Sequence, residues 1–154
     1  MASFYPLKAV ILWTMAKETK HFYMKFVHRE GNEVHTCYVA DYFGDVGVME
    51  GPTPGRIQEL ETQDREKAAA IETTVNQIFK TNNINGTFER LVAREVWHKI
   101  LEHAQAVKAN MIVMGSRGMG KVRRTILGSV SDSVLHHAHI PVLICKHPDE
   151  QQHK

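Results

Sequence analysis

A glycine-rich stretch in the second half of this sequence carries residue types that can bind a phosphate. It contains, in order, Gly115, Gly118, Gly128 and Ser129. Glycines let a backbone approach an anion closely, and a helix that begins at Gly128-Ser129 directs N–H groups and a hydroxyl toward it. The stretch lacks the Gly-Lys-Ser/Thr of the P-loop, and it does not follow the first strand as the dinucleotide fingerprint does. It therefore predicts a phosphate site of another kind, although a set of tight turns would also use such glycines.

The elements that position this stretch follow from alternating apolar runs and helical periodicities. The run at 8–13, which is apolar from Ala9 onward, is typical of a strand buried on both faces. Similar runs predict further strands at 33–40, 87–92, 111–114 and 141–145, with helices at about 16–30, 53–81, 96–107 and 128–138. Strands separated by helices pair in parallel through right-handed crossovers. We therefore expect an open three-layer α/β/α sandwich.

The predicted sheet places the glycine-rich stretch where ligands bind. In an open parallel sheet, ligands lie beyond the carboxyl ends of the strands, at the point where the strand order reverses. The stretch follows the strand at 111–114 directly, so it starts at such a carboxyl end. The sequence thus predicts a binding crevice at that edge of the sheet.

From Ala109 to Lys146, the chain resembles the universal stress protein family. The shared features are the spacing Gly115-x2-Gly118-x9-Gly128-Ser129 directly after an Ile-Val-Met strand, and the closing run 141–144. The order of the remaining strands and helices extends the resemblance more loosely over 8–108. It implies a single Rossmann-like domain over 1–154, with a core at about 8–146 and the strand order 3-2-1-4-5.

The resemblance also implies a function and a set of site residues. Members with this glycine pattern bind ATP or AMP, with or without Mg²⁺, and act as stress-response sensors or scaffolds rather than as efficient enzymes. Carried over by position, the residues that hold the phosphates are Gly115, Gly118, Gly128 and Ser129, with charge from Arg117 and with Ser131 as a further candidate. Those that line the ribose and adenine are Val39, Met114 and Val130. Many members form homodimers through strand five, here Val142–Cys145.

One position departs from the family's pattern. Members that bind nucleotide usually end strand one with an Asp whose carboxylate contacts the nucleoside, and Thr14 stands there in this chain. Losing one charge-assisted hydrogen bond costs roughly 1.5–3 kcal/mol, or about 10- to 150-fold in affinity. Thr14 therefore stays a candidate for the site, and it motivates an alternative hypothesis: an interaction module of the same fold that has lost nucleotide binding.

A third hypothesis is an enzyme that hydrolyses ATP or transfers a nucleotidyl group. Such an enzyme needs a general base or a metal-binding carboxylate near the phosphates. The sequence offers Asp132 at most, and a carboxylate in the first turn of a helix already suits the helix dipole. We therefore expect no catalytic residue and no metal site, with slow ATP hydrolysis as a side activity at most.

Composition limits the remaining classes of function. The chain has 154 residues, 43% of them hydrophobic and 23% charged, which is typical of one globular domain. A net charge of +2 indicates neither nucleic-acid nor membrane-surface binding, and no apolar run approaches the roughly 20 residues that span a bilayer. We expect a cytoplasmic protein in which Cys37 and Cys145 are buried, reduced thiols, and a disordered tail at 147–154.

Overall fold

The computed structural model describes residues 6–12, 17–40, 53–116 and 127–146, with the side chains of 10–12, 17 and 18 outside the description. The tail at 147–154, which we expect to be disordered, lies outside these ranges.

Five strands form one parallel sheet. They are β1 (Lys8–Leu12), β2 (Glu33–Ala40), β3 (Asn85–Val92), β4 (Met111–Gly115) and β5 (Val142–Cys145). Their order in the sheet is β3-β2-β1-β4-β5, and every neighbouring pair is parallel. The parallel architecture and the strand order are thus both confirmed.

Four helices connect the strands: α1 (Lys17–Phe22), α2 (Pro54–Thr81), α3 (Val96–Ala106) and α4 (Ser129–His137). A π-helical turn, Tyr23–Val27, continues α1 and ends with a 2.7 Å bond from the His28 N–H to the Tyr23 carbonyl. The sequence-based expectation of a first helix reaching residue 30 is wrong at that end, because His28 already has extended backbone angles. Gly31 takes the left-handed conformation, with φ at +87°, in the turn that precedes β2.

The start of α2 shows why the chain becomes helical there. Thr53 is the N-cap, and its hydroxyl oxygen accepts a 3.4 Å bond from the Arg56 N–H. Pro54 occupies the first helical position, where its missing N–H costs nothing. This helix follows the predicted bounds closely, because both its cap and its apolar stripe are local features.

The core lies on both faces of the sheet, since successive residues of β2 point to opposite sides. On one face, Cys37 packs in a cluster with Ile100 of α3 and Val134 of α4. On the other face, Val34 packs with Tyr23, and Tyr38 packs with the buried stripe of α2. The sheet is therefore covered on both faces, which confirms the three-layer sandwich.

Both cysteines are buried, unpaired thiols, as the sequence indicates. Burial raises the pKa of the Cys37 thiol to about 12, and Glu89 adds to the effect. Burial also raises the pKa of Cys145. None of the helices in the described ranges is long and apolar enough to cross a membrane.

Candidate functional site

The strand order reverses between β1 and β4. The chain runs from β1 outward to β2 and β3, then returns to the other side of β1 as β4 and continues outward to β5. The helices that follow β1 and β4 therefore lie on opposite faces of the sheet, and in sheets of this topology ligands bind between the carboxyl ends of these two strands. Gly115 ends β4 at this edge, and Ser116 follows it.

Backbone hydrogen bonds join the end of β4 to the start of α4. The Ser116 N–H donates to the Cys145 carbonyl at 2.9 Å, which anchors the residue after β4 to the neighbouring strand. The Ser116 carbonyl in turn accepts the Gly128 N–H at 2.9 Å. The two residues that flank the segment 117–127 are therefore bonded directly, and the start of α4 lies against the end of β4.

The buried side chain of Ser131 adds hydrogen bonds to this junction between Ser116 and Gly128. It is 3% exposed, and its hydroxyl oxygen lies 2.9 Å from the Gly128 carbonyl and 3.3 Å from the Ser116 carbonyl. The Gly128 carbonyl also accepts the Asp132 N–H at 2.9 Å, which is the first bond of the helix. Ser131 thus contacts both residues that the backbone already joins.

Among the residues that the structure describes, no side chain caps the N-terminus of α4. Its N-cap residue is Gly128, which carries no side chain that could accept from the first turn. The N–H groups of Ser129, Val130 and Ser131 are the first of the helix and have no acceptor within it. Together with the positive end of the helix dipole, three such N–H groups favour an anion.

The backbone conformation of Gly128 does not require a glycine. Its φ of −62° and ψ of 148° are open to any residue. Gly31 is the one glycine with positive φ in the part of the chain that the structure describes, so Gly115 is not in the left-handed region either. A left-handed turn therefore explains neither of these glycines, whereas an uncapped helix start is a direct consequence of glycine at position 128.

Three residues predicted to line the ribose and adenine meet in one apolar cluster. Met114 belongs to the buried core between the sheet and α3 and α4, and Val39 and Val130 pack against it. Met114 is only 1% exposed, whereas Val39 and Val130 are half-buried. The two valines thus present the accessible apolar surface of this cluster, and Met114 belongs to its buried part.

The remaining predicted site residues are Thr14, Arg117 and Gly118, and they lie outside the described residues. Asp132 lies in the first turn of α4 with an exposed side chain, and its carboxylate is 3.6 Å from Nδ1 of His136. Within the described residues, no group of three or more His, Cys, Asp or Glu side chains could hold a metal ion. The site as described is therefore one of backbone amides and apolar side chains rather than of carboxylates.

Sequence reasoning missed the part played by Ser116. Its contribution is a main-chain carbonyl that accepts from Gly128, and a carbonyl belongs to every residue type. No signal in the sequence could have pointed to it, since only the register of the strand end against the helix start brings the two groups together.

A doubly wound parallel α/β sheet with an uncapped helix N-terminus at its reversal point defines a fold class that binds ligands at that edge. Within this class, the chain belongs to the universal stress protein family, because the model of the Universal stress protein family matches residues 15–146.

Individual relatives agree with this assignment. The chain is 31% identical to the universal stress protein MJ0531 of Methanocaldococcus jannaschii over 119 residues, which cover 77% of this chain and 68% of that one. The solved universal stress protein UspA from Lactobacillus plantarum matches with a TM-score of 0.71 at 19% identity, over 92% of this chain and 99% of that one. An Arabidopsis thaliana universal stress protein family structure with AMP bound matches with a TM-score of 0.67 at 14% identity, over 94% of each chain. At these identities, the solved structures establish the fold alone.

Proposed function

We propose that this protein binds an adenine nucleotide, ATP or AMP, in the crevice between the carboxyl ends of β1 and β4. The observation that carries the proposal is the uncapped start of α4, bonded to the end of β4 through Gly128 and Ser116. The AMP in the structurally similar Arabidopsis protein supports the choice of an adenine nucleotide. The protein would act as a sensor or scaffold in a stress response.

Each part of the crevice has a distinct role in this proposal. The amides that follow Gly128, with the Ser129 hydroxyl, hold the phosphates, and Gly115 lets them approach the end of β4. Val39 and Val130 cover the ribose and adenine. Arg117 and Gly118 join the phosphate site on the strength of the family's glycine pattern alone.

The same groups bind phosphate without supplying an efficient catalyst. Hydrolysis needs a group that takes a proton from water or holds a metal against the phosphates. Asp132 is the carboxylate at this helix start, and it has a role already, because it complements the helix dipole and lies near His136. Slow ATP hydrolysis is therefore the most that we attribute to the site, with Mg²⁺ bound to the nucleotide's own phosphates.

Ligand-dependent stability tests the binding proposal. Unfolding midpoints should be measured with excess Mg-ATP, AMP and GTP, on the wild type and on Gly115→Asp, whose fold is checked by circular dichroism. A ligand at about 100 times its dissociation constant adds roughly 2.7 kcal/mol, which at this size raises the midpoint by about 5–10 °C. We expect that rise with adenine nucleotides, a smaller one with GTP, and none in Gly115→Asp. No rise at millimolar nucleotide contradicts the proposal.

Thr14 favours the second candidate function, an interaction module without nucleotide. A Thr14→Asp variant separates the two, because it restores the carboxylate that nucleotide-binding members carry. If the site binds nucleotide, this variant gains about 10-fold or more in ATP affinity, whereas Thr14→Asn, of the same shape without the charge, gains much less. If both variants and the wild type fail to bind, the interaction module is the better description.

We also propose that the protein forms a homodimer through β5, for which its two sheet edges give a physical reason. β5 is an edge strand of purely apolar sequence, with Val142, Leu143 and Ile144 all half-buried. The opposite edge, β3, carries Glu89 and Arg90, and charged side chains discourage pairing of exposed strands. Pairing of two β5 edges would cover the less protected side of the sheet.

Light scattering over a range of protein concentrations tests the dimer. We expect a dimeric mass for the wild type and a monomeric mass for Val142→Lys, which places a charge on the β5 edge. Thr87→Lys makes the same change on the β3 edge and should leave the dimer intact. A monomeric wild type at high concentration, or a monomeric Thr87→Lys, contradicts the assignment of β5 as the interface.

A further inference from the structure

We infer that Ser131 is a positioning residue that fixes the phosphate-facing amides of α4 against the end of β4. The inference rests on the proposed function, since it assigns how the phosphate site keeps its shape. It concerns a hydroxyl that contacts the protein on the inside of the helix, while the ligand would contact the amides on the outside.

The Ser131 hydroxyl belongs to a group of hydrogen bonds that share two acceptor carbonyls. Its hydroxyl oxygen is 2.9 Å from the Gly128 carbonyl and 3.3 Å from the Ser116 carbonyl. Each of these carbonyls already accepts a backbone N–H at 2.9 Å, from Asp132 and from Gly128 respectively. The hydroxyl is thus a second donor shared by both carbonyls, one at the end of β4 and one at the start of α4.

The place of Ser131 in the helix distinguishes this arrangement from a capping box. It is the third residue of α4, where a capping box has Glu or Gln accepting from the N-cap N–H. Here the N-cap N–H of Gly128 donates across the junction to Ser116 instead. Ser131 therefore secures the helix start by donating to carbonyls, and within the described ranges no side chain accepts from the amides of the first turn.

The same geometry distinguishes positioning from direct binding. A hydroxyl has one proton to donate, and Ser131 directs it between two carbonyls while only 3% of the residue is exposed. The proton is committed to the protein and not available to a phosphate oxygen. Removing the hydroxyl would loosen the junction and disturb the amide positions without removing a ligand contact.

The test compares Ser131→Ala, Ser131→Thr and the matched control Ser133→Ala, which removes a hydroxyl from the same helix. Dissociation constants for ATP, AMP and adenosine are measured by titration calorimetry, and amide hydrogen exchange of Gly128 is followed by NMR. We expect Ser131→Ala to weaken ATP and AMP by about 3- to 10-fold and adenosine, which has no phosphate, by less than about 2-fold. Ser131→Thr should keep the affinity because it keeps the hydroxyl.

Amide hydrogen exchange tests the inference without any ligand. In Ser131→Ala, the Gly128 amide should exchange about 10-fold faster, while the amides of Ile112 and Val113 in β4 stay at the wild-type rate. Unchanged Gly128 exchange overturns the inference, and so does an equal loss of affinity for ATP and adenosine, which a general loss of structure would cause. If the wild type binds no nucleotide, the proposed function fails, and the exchange result alone decides whether Ser131 fixes the junction.

Discussion

The ring of Phe79 lies directly against Gly86. A Cβ placed on Gly86 would be 2.6 Å from Cε2 of that ring and 2.7 Å from Cζ, well inside van der Waals contact. Phe79 lies in the last turn of α2 and Gly86 is the second residue of β3, and the Ile84 N–H bonds the Phe79 carbonyl at 2.9 Å between them. The missing side chain at position 86 is thus what lets the end of α2 pack on the start of β3.

Replacing Gly86 by alanine should destabilise the protein. The ring edge has to move, and overpacking of this kind typically costs about 1–3 kcal/mol. Urea unfolding of Gly86→Ala measures the loss. Gly55→Ala is the matched control, because nothing lies within 4 Å of a Cβ at that helical position, and a gain of up to about 1 kcal/mol is expected there. A Gly86→Ala variant as stable as the wild type would contradict the packing argument.

This contact also explains an error in the sequence-based prediction of β3. The prediction begins the strand at residue 87, and the asparagine and glycine that precede it have low strand propensity. The strand in fact begins at Asn85, with Gly86 paired to Val34. The ring of Phe79, seven residues upstream in α2, leaves no room for a side chain at position 86. Strand propensities consider only neighbouring residues and cannot indicate such a contact.

The candidate site also has some features that depend on the local sequence and others that depend on contacts between distant elements. The glycine-rich stretch could be placed at the carboxyl end of β4 from the sequence, because parallel topology fixes where that strand points. The bond between Gly128 and Ser116, and the inward hydroxyl of Ser131, could not be predicted, because they depend on how α4 lies against the strand end. Residue types placed the glycine-rich stretch at the end of β4, whereas register determines which of its groups bond to the protein itself.

A buried carboxylate joins α2 to β2 and β3. Asp64 accepts a 2.7 Å bond from the Tyr38 hydroxyl and a 2.6 Å bond from Nε of Arg90. The Asp64 side chain is 10% exposed and that of Arg90 is 22% exposed, so the pair is largely removed from water. Removing one partner of such a pair leaves the desolvation cost of the other uncompensated.

Asp64→Ala should therefore lower the free energy of unfolding by about 2–4 kcal/mol, measured by urea denaturation at pH 7. Tyr38→Phe removes one neutral donor and should cost about 0.5–1.5 kcal/mol. Glu61→Ala is the matched control, since it breaks the exposed Glu61–Arg65 pair on the same helix and should cost less than about 1 kcal/mol. Equal losses for Asp64→Ala and Glu61→Ala would show that burial adds nothing.

A second buried polar group predicts how stability depends on pH. His103 of α3 is 8% exposed, and its burial lowers its pKa below the ordinary value of 6.5, with Glu89 acting in the opposite direction. Nδ1 of His103 lies 3.4 Å from Glu89 of β3, and the ring of His35 from β2 lies edge-on at 6.4 Å. Lys99 of the same helix lowers the pKa further.

The direction of the pH dependence follows from that shift. Above pH of about 6.5 the histidine is neutral in both states, so it adds no pH dependence. Below that pH, the unfolded chain binds a proton that the native His103 resists, and stability falls by up to about 1.4 kcal/mol per pH unit. His28, whose pKa burial also lowers, acts in the same direction.

Urea unfolding between pH 5 and 8 tests this assignment. The wild type should lose stability as pH falls from 7 to 5, and His103→Leu should show a smaller loss over the same interval. His136→Leu, at an exposed position of α4, should keep the wild-type slope. If His103→Leu and the wild type lose stability in parallel, His103 does not carry the effect.

A substitution of Gly128, at the start of α4, should change stability and nucleotide affinity in opposite directions. An aspartate at the N-cap accepts from the amides of the first turn and complements the helix dipole, which together contribute about 0.5–1 kcal/mol. Gly128→Asp should therefore unfold about 1–4 °C higher than the wild type without ligand. The same carboxylate accepts from the amides that the phosphates would use and repels the phosphates, so ATP affinity should fall more than about 10-fold.

Gly128→Ala is the matched control for this prediction. It adds a side chain that can neither accept a hydrogen bond nor repel a phosphate, so it should unfold at a lower temperature and bind ATP better than Gly128→Asp does. A Gly128→Asp variant that is more stable and still binds ATP as the wild type does would mean that the amides of α4 do not hold the phosphates.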